Sequence, residues 1–288
     1  MQWEGISEFV EVAEAESFTL ASKKLTVSTA QVSRQVSKLE KKLNIKLFYR
    51  TTRKVSLTQD GHIFYQHCRG VLDALDAAVQ AMTNLQSTPS GRIKLTAPVT
   101  YGEKRILPLV NNFALKYPSI KVMVHLNNQK IDLVDEGYDL AIRLGKLSDS
   151  TMMARKLADR TNYVCASPTY LEKYGIAHTL TELDSHNCLL GTLDYWHFNV
   201  GGKVKNVRVN GSVRINSGIG LLDASLKGLG IVQLPDYYVN DHLKNGTLIS
   251  MLDKYKESGE GIWAVYPNNR HLSPKIRLLV DYLAQELA

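Results

Sequence analysis

Proline is missing from the first 88 residues, and all eight prolines lie between Pro89 and Pro274. Proline breaks helix interiors. Its absence from a stretch with helical spacing, followed by Ser87-Thr88-Pro89-Ser90-Gly91, marks a helical unit, a hinge at 87–91 and a second domain. Cysteine is scarce: Cys68, Cys165 and Cys188 are too few and too scattered for a disulfide framework, which points to a reducing, cytoplasmic setting. No apolar run reaches the roughly 18 residues that a membrane-spanning helix requires. The opening Met1-Gln2-Trp3-Glu4 has neither a basic nor an apolar leader segment, so no secretory signal is expected.

Enzyme and metal motifs are missing too. The histidines at 62, 67, 125, 178, 186, 197, 242 and 271 show no H-E-x-x-H or H-x-x-x-H spacing, and His186-Asn187-Cys188 has no further ligand nearby. There is no G-x-S-x-G and no P-loop. Gly218-x-Gly220 and Gly228-x-Gly230 lack the third glycine of a dinucleotide fingerprint and read as turn glycines. No metal, no cofactor and no enzymatic activity are expected.

What is present is an ordinary globular balance, 44% apolar and 22% charged over 288 residues. At about 150 residues per domain, that length suggests two domains. Charge is segregated. Residues 1–16 hold five acids and no Lys or Arg. Residues 17–58 hold ten cations and the single acid Glu40, and residues 59–288 carry only +3 of the overall +7. A basic stretch of about forty residues on a near-neutral body suits a small nucleic-acid-binding head. It equally suits a solvated basic face, and charge alone does not choose.

The pattern within this stretch is more specific. Ile6, Phe9, Val10, Val12 and Ala13 suit an amphipathic helix over 2–15. Ser17 caps a short helix over 18–25, and Thr26-Val27 turns the chain. Ser28-Thr29-Ala30-Gln31 is an S-x-x-Q capping box. The helix it opens, 28–43, buries Val32, Val36, Leu39 and Leu43 and turns Thr29, Ser33, Arg34, Ser37, Lys38 and Lys41 outward; Asn44 suits its left-handed end. Two short helices around a tight turn, the second with a polar basic face, make a helix-turn-helix, although a plain three-helix bundle has the same periodicity. Residues 47–58 read as a basic hairpin, a wing whose tip residue Arg53 suits the narrow minor groove. One helix then spans 59–86, with Thr58 and Asp60 at its start. Phe64, Cys68, Val71, Leu75, Ala78, Met82 and Leu85 fall on it at alternating spacings of four and three, widened by Leu72 and Val79. That is a heptad seam that needs a partner, most simply a second copy.

Phe9-Val10-Glu11-Val12-Ala13, Ser17-Phe18-Thr19, Leu25, Val27-Ser28, Val32-Ser33-Arg34-Gln35-Val36, Leu39-Glu40, Leu43, Leu47-Phe48, Arg50 and Leu57-Thr58-Gln59-Asp60-Gly61 resemble the winged helix-turn-helix of LysR-type transcriptional regulators, continuously over about sixty residues. Three positions depart from that pattern. Thr29-Ala30 stands for a Gln-Pro pair, Ala21-Ser22 for paired alanines, and Asn44 for a glycine.

The resemblance implies a bacterial, sequence-specific DNA-binding regulator of promoter or operator DNA. Its architecture would be an all-α winged-helix head (1–58), a linker helix for dimerisation (59–86), and an α/β two-lobed domain like a periplasmic binding protein (92–288). Lobe I would take about 92–160 and 267–288, and lobe II about 161–266. Thr29, Ala30, Ser33 and Arg34 would approach the bases, Lys38, Lys41 and Arg50 the phosphates, and Arg53 the minor groove. The partners implied are double-stranded DNA, a second copy or three further copies, a small-molecule effector, RNA polymerase and no membrane.

The body supports the α/β reading on its own pattern. Ile93, Leu95 and Ala97 mark a strand ending at Pro98, and 106–117 a helix. A strand at 120–126, a short helix over 131–137 and a strand at 139–144 follow, which implies a mainly parallel sheet. Further strands are expected at 162–166, 230–234 and 262–266, and helices at 217–227 and 275–287. Ligands of such sheets bind past strand carboxyl ends and at helix N-termini. Thr100, Tyr101, Asn128, Arg143, Thr192 and Gln233 are the effector candidates on that rule. Two alternatives remain: a redox-responsive regulator using Cys165 and Cys188, although 23 residues separate them, and a solute-binding protein of transport type.

Overall fold

The computed structural model describes residues 4–50, 54–82, 89–129, 131–147, 151–257, 259–267 and 272–288, without the side chains of 73, 74 and 76–82. Its elements run α1 (Ile6–Ala15), α2 (Phe18–Lys24), α3 (Thr29–Leu43), β1 (Phe48–Arg50), β2 (Val55–Leu57) and α4 (Gln59–Met82). There follow β3 (Gly91–Ala97), α5 (Val99–Tyr101), a π-helical segment (Gly102–Ile106), α6 (Leu107–Lys116), β4 (Ile120–Leu126), β5 (Leu140–Leu144), β6 (Met153–Arg160) and β7 (Asn162–Ala166). The rest is α7 (Pro168–Tyr174), β8 (Tyr195–Val200), β9 (Lys203–Arg208), α8 (Gly218–Leu226), β10 (Val232–Pro235), α9 (Asp236–Lys244), β11 (Ile249–Met251), β12 (Glu260–Tyr266) and α10 (Pro274–Leu287). The chain forms two units, Met1–Ile142 with Asp149–Arg155 and Ala264–Glu286, and Arg143–Ser148 with Lys156–Trp263 and Leu287–Ala288.

In the first unit, α1, α2, α3, the β1–β2 hairpin and the start of α4 enclose one core. Phe9, Val12, Ala21, Val32 and Val36 have no solvent exposure there. The entry into α4 is tightly specified. Thr58 Oγ1 accepts from the Gly61 N–H (2.9 Å) and donates to the Lys46 carbonyl (2.6 Å). A Cβ on Gly61 would lie 2.1 Å from the Leu47 carbonyl oxygen, so the close approach of helix and wing requires glycine. The tip of the hairpin and residues 83–86 of the expected linker helix lie outside the described residues.

The five-stranded sheet has the order β4-β3-β5-β12-β6, with β3 parallel to both β4 and β5. Ile93, Leu95 and Ala97 are buried as their alternation predicts. The helix expected over 106–117 starts earlier, at Val99, and passes through the π-helical segment into α6. No helix forms over 131–137. Asp132 Oδ1 accepts from the N–H groups of Val134 (2.8 Å) and Asp135 (3.1 Å) as an N-cap does, but the segment closes after one turn, with the Tyr138 N–H on the Leu133 carbonyl (2.8 Å) and Gly137 left-handed (φ 67°).

The three-stranded sheet of the second unit is antiparallel. β7 lies between β10 and β11 and is antiparallel to both. β10, α9 and β11 form a crossover that straddles β7, and β7 enters from β6 after the single residue Thr161. The β8–β9 hairpin, which the pattern reading did not include, turns through Gly201 (φ 60°) and Gly202 (φ 81°). Positive φ at both central residues is the geometry favoured in two-residue hairpin turns.

Candidate nucleic-acid interface

The geometry of α2 and α3 is set by local chemistry. Ser17 Oγ accepts from the Leu20 N–H (3.3 Å) and Ser28 Oγ from the Gln31 N–H (3.2 Å), satisfying donors that a helix start leaves open. Thr26 takes a left-handed conformation (φ 56°), and the Val27 N–H donates to the Ser22 carbonyl (3.0 Å), which closes the turn. Asn44 ends α3 in the same left-handed region (φ 54°). Val32, Val36 and Leu39 are buried against the core, and Thr29, Ala30, Arg34, Ser37, Lys38 and Lys41 are exposed. Ser33, Arg34, Ser37, Lys38 and Lys41 line one shallow concavity on that face.

Six cations of the basic stretch fall into two sets. Lys24 pairs with Glu11 (2.6 Å) and Glu14 (3.7 Å). Arg50 pairs with the buried Glu40 (3.0 Å) and lies over the Phe18 ring at 4.7 Å, and Lys46 reaches the same carboxylate (3.7 Å). Arg34, Lys38 and Lys41 hold no ion pair among the described residues. Arg50, expected on phosphate, has its guanidinium on Glu40 while its side chain stays a third exposed. Thr29, expected at the bases, shares a hydrogen bond with Ser22 (3.0 Å). Arg53 lies outside the described residues. Sequence reading missed the bridging role of Glu40, whose signal was its isolation as the one acid among ten cations.

The α4 seam is divided. The Phe64 ring lies 5.3 Å from that of Phe9, tilted by 45°, Cys68 is buried in the same core, and Leu72 packs against it. Val71 and Leu75 are exposed (63% and 59%). Ala78 and Met82 lie on α4 with undescribed side chains, and Leu85 falls outside the described residues.

The effector candidates fall in both units. Asn128 Oδ1 accepts from the Val99 N–H (2.9 Å), so Asn128 meets the helix start that carries Thr100 and Tyr101. Tyr101 is buried. Arg143, Thr192 and Gln233 belong to the second unit. Burial lowers the Arg143 pKa. The Thr192 carbonyl accepts from Arg214 (3.3 Å). The Gln233 amide is engaged on both sides by the His197 backbone, accepting from its N–H (3.1 Å) and donating to its carbonyl (2.8 Å). Cys165 and Cys188 are unpaired and fully buried in two different clusters, and burial pushes each thiol up to about 12. Among the described residues no group of three or more His, Cys, Asp or Glu could hold a metal, and no helix is long and apolar enough to cross a membrane.

Comparison with known proteins gives two family matches, "Bacterial regulatory helix-turn-helix protein, lysR family" over residues 3–62 and "LysR substrate binding domain" over 86–288. An uncharacterized HTH-type transcriptional regulator of Haemophilus influenzae is 40% identical over 94% of this chain and 96% of its own. The HTH-type transcriptional activator TtdR of Escherichia coli is 32% identical over 96% of this chain and 90% of its own. Among solved structures, the full-length Vibrio cholerae virulence activator AphB, a member of the LTTR family, is 30% identical and covers both chains completely with a TM-score of 0.62. CrgA of Neisseria meningitidis, a LysR-type transcriptional regulator, is 31% identical over 99% of this chain and 98% of its own, with a TM-score of 0.63.

Proposed function

The chain belongs to the LysR-type transcriptional regulators, and on that premise we propose that the exposed face of α3 enters the DNA major groove and selects promoter DNA mainly through Arg34. The observation that carries this is the sorting of cations: among the described residues, Arg34, Lys38 and Lys41 share one exposed helix face without a carboxylate partner, whereas Lys24, Lys46 and Arg50 are paired. An unpaired guanidinium can bond bidentately to guanine O6 and N7. Ala30 and Ser33 lie beside Arg34 on the reading face, Lys38 and Lys41 hold phosphates, and Arg53 reaches the minor groove. The head occupies 1–58, the linker helix 59–86, the hinge 87–91, and the two-lobed effector domain 92–288.

The exposed Val71 and Leu75 pair two copies through α4 and so bring two heads to one site, with dimers assembling further into tetramers. A small molecule held by the two-lobed domain changes the spacing of the heads; the first candidates are Thr100 and Asn128 within the first unit and, separately, Arg143 and Thr192 within the second. The regulator works in the cytoplasm on promoters read by RNA polymerase. The burial of Cys165 and Cys188 weighs against a redox trigger.

The test is fluorescence anisotropy with the DNA upstream of the protein's own gene and with random DNA, at two salt concentrations. Arg34→Ala is expected to lose about 1–3 kcal/mol on the former and little on the latter. Equal, weak binding of both proteins to both DNAs, only at low salt, would reduce the head to a non-specific basic surface and overturn the proposal.

A further inference from the structure

Ser22 lies beneath the first turn of α3, on α2, and is 5% exposed. Its hydroxyl makes two hydrogen bonds, one of 2.9 Å to the Thr19 carbonyl of its own helix and one of 3.0 Å to Thr29 Oγ1 across the turn. A serine hydroxyl has one proton, and a carbonyl oxygen can only accept. The Ser22 proton therefore lies on the Thr19 carbonyl. The bond to Thr29 must then be donated by Thr29, into a lone pair of Ser22 Oγ. The chain of donation runs Thr29, Ser22, Thr19 carbonyl, and each bond polarises the next in the same direction.

This has a consequence for what Thr29 offers outward. It is the first residue of α3 and is exposed. With its one proton held by Ser22, the hydroxyl presents only lone pairs to a neighbouring group. In the major groove, adenine N6 and cytosine N4 are donors, whereas guanine O6 and N7 and thymine O4 are acceptors. We infer that Ser22 is a specificity-determining positioning residue: through the Ser22–Thr29 hydrogen bond it fixes Thr29 as an acceptor, so that the base met by Thr29 is selected for an exocyclic amino group, adenine or cytosine over guanine or thymine. The inference rests on the groove-reading role of α3 proposed above.

Base selection is measured with the full-length protein on a pool of its promoter DNA randomised at each position of the site, followed by sequencing of the bound fraction. The wild type is expected to show one position per half-site with a preference of roughly five- to tenfold for adenine or cytosine. Ser22→Ala releases the Thr29 hydroxyl to rotate and donate. That preference should then fall below about twofold, with the other positions unchanged. Thr29→Val should lose the same preference, the double variant should match the single ones, and Thr29→Ser, which keeps the hydroxyl, should retain it. A Ser22→Ala profile identical to wild type overturns the inference, as does a wild-type preference for guanine or thymine at that position. A uniform loss of affinity at every position also overturns it, because that is the mark of a structural role only. A wild type that selects no sequence, and that Arg34→Ala does not change, removes the groove-reading proposal and this inference with it. A wild type that selects a site sensitive to Arg34→Ala but indifferent to Ser22→Ala removes this inference alone.

Discussion

Glu40 is a carboxylate only 4% exposed, placed where the last turns of α3 meet the start of the wing. Its Oε1 accepts from the N–H groups of Leu47 (2.9 Å) and Phe48 (3.2 Å), and its Oε2 takes the Arg50 guanidinium (3.0 Å). Arg50 is a third exposed, so solvent screens that pair and the two backbone donors carry most of the effect. Glu40→Ala is expected to destabilise the head by about 2–4 kcal/mol, and Glu40→Gln by less, because an amide oxygen can keep the backbone bonds. Hydrogen exchange at the Leu47 and Phe48 amides measures this directly, and unchanged exchange in Glu40→Ala would contradict the bridging role. The cysteines behave oppositely. Burial holds the Cys165 and Cys188 thiols near 12 and Cys68 near 11, against an ordinary 9.0, so the unfolded chain ionises first. Their contribution to stability is complete below pH 9 and is lost as pH rises above it. A thiol reagent at pH 8 should label no cysteine in the native protein and all three in denaturant; labelling of native Cys165 or Cys188 within minutes would revive the redox alternative. Residue types were legible in the sequence here, but partners were not. Glu40 meets Leu47 and Phe48, and Ser22 meets Thr29, only because the chain turns back between them, and a linear reading shows neither contact.

At the scale of elements, periodicity predicted location well and allegiance poorly. The capping residues Ser17 and Ser28 and the left-handed Asn44 bound their helices as read, since these signals act within one turn of chain. The α4 heptad is different. Its spacing is real, yet Phe64, Cys68 and Leu72 complete the head's own core, where α1 supplies Phe9, while Val71 and Leu75 stay in solvent. A repeat states that a face must be covered, not by what. The two halves should respond differently to substitution. Val71→Glu together with Leu75→Glu is expected to lower the oligomeric mass in analytical ultracentrifugation and leave thermal stability of the head nearly unchanged. Cys68→Ser is expected to cost about 1–3 kcal/mol of stability with the mass unchanged, because it places a hydroxyl in an apolar core. An unchanged mass for the charged pair would remove α4 as the contact. Elsewhere the misses have local causes. Gly201-Gly202 between β-forming runs was a readable hairpin signal. At 131–137 apolar spacing suggested helix, but the left-handed Gly137 (φ 67°) closes the segment after a single turn that Asp132 caps.

For the whole molecule, charge placement links the head to assembly. Residues 17–58 carry ten of the 35 cations against one acid, and the remaining 230 residues from 59 onward are close to neutral, so DNA attraction is concentrated in each copy's head. Each phosphate neutralised contributes about 0.9 to the slope of log binding constant against log salt concentration. A lysine on phosphate is counted once for every head seated on the DNA. Lys41→Ala should therefore make the slope shallower by about 2 if two heads bind and by about 4 if four do. The same titration thus reads both the contact and the number of heads engaged. Lys24→Ala is the matched control, because Lys24 is an equally charged residue of the same stretch that Glu11 holds at 2.6 Å. Its slope should stay at the wild-type value. If Lys24→Ala flattens the slope as much as Lys41→Ala, the head attracts DNA by its total charge alone, and the division of cations into paired and presented sets has no bearing on how the regulator finds DNA. If only Lys41→Ala does so, the unpaired face of α3 is the surface that meets the phosphates.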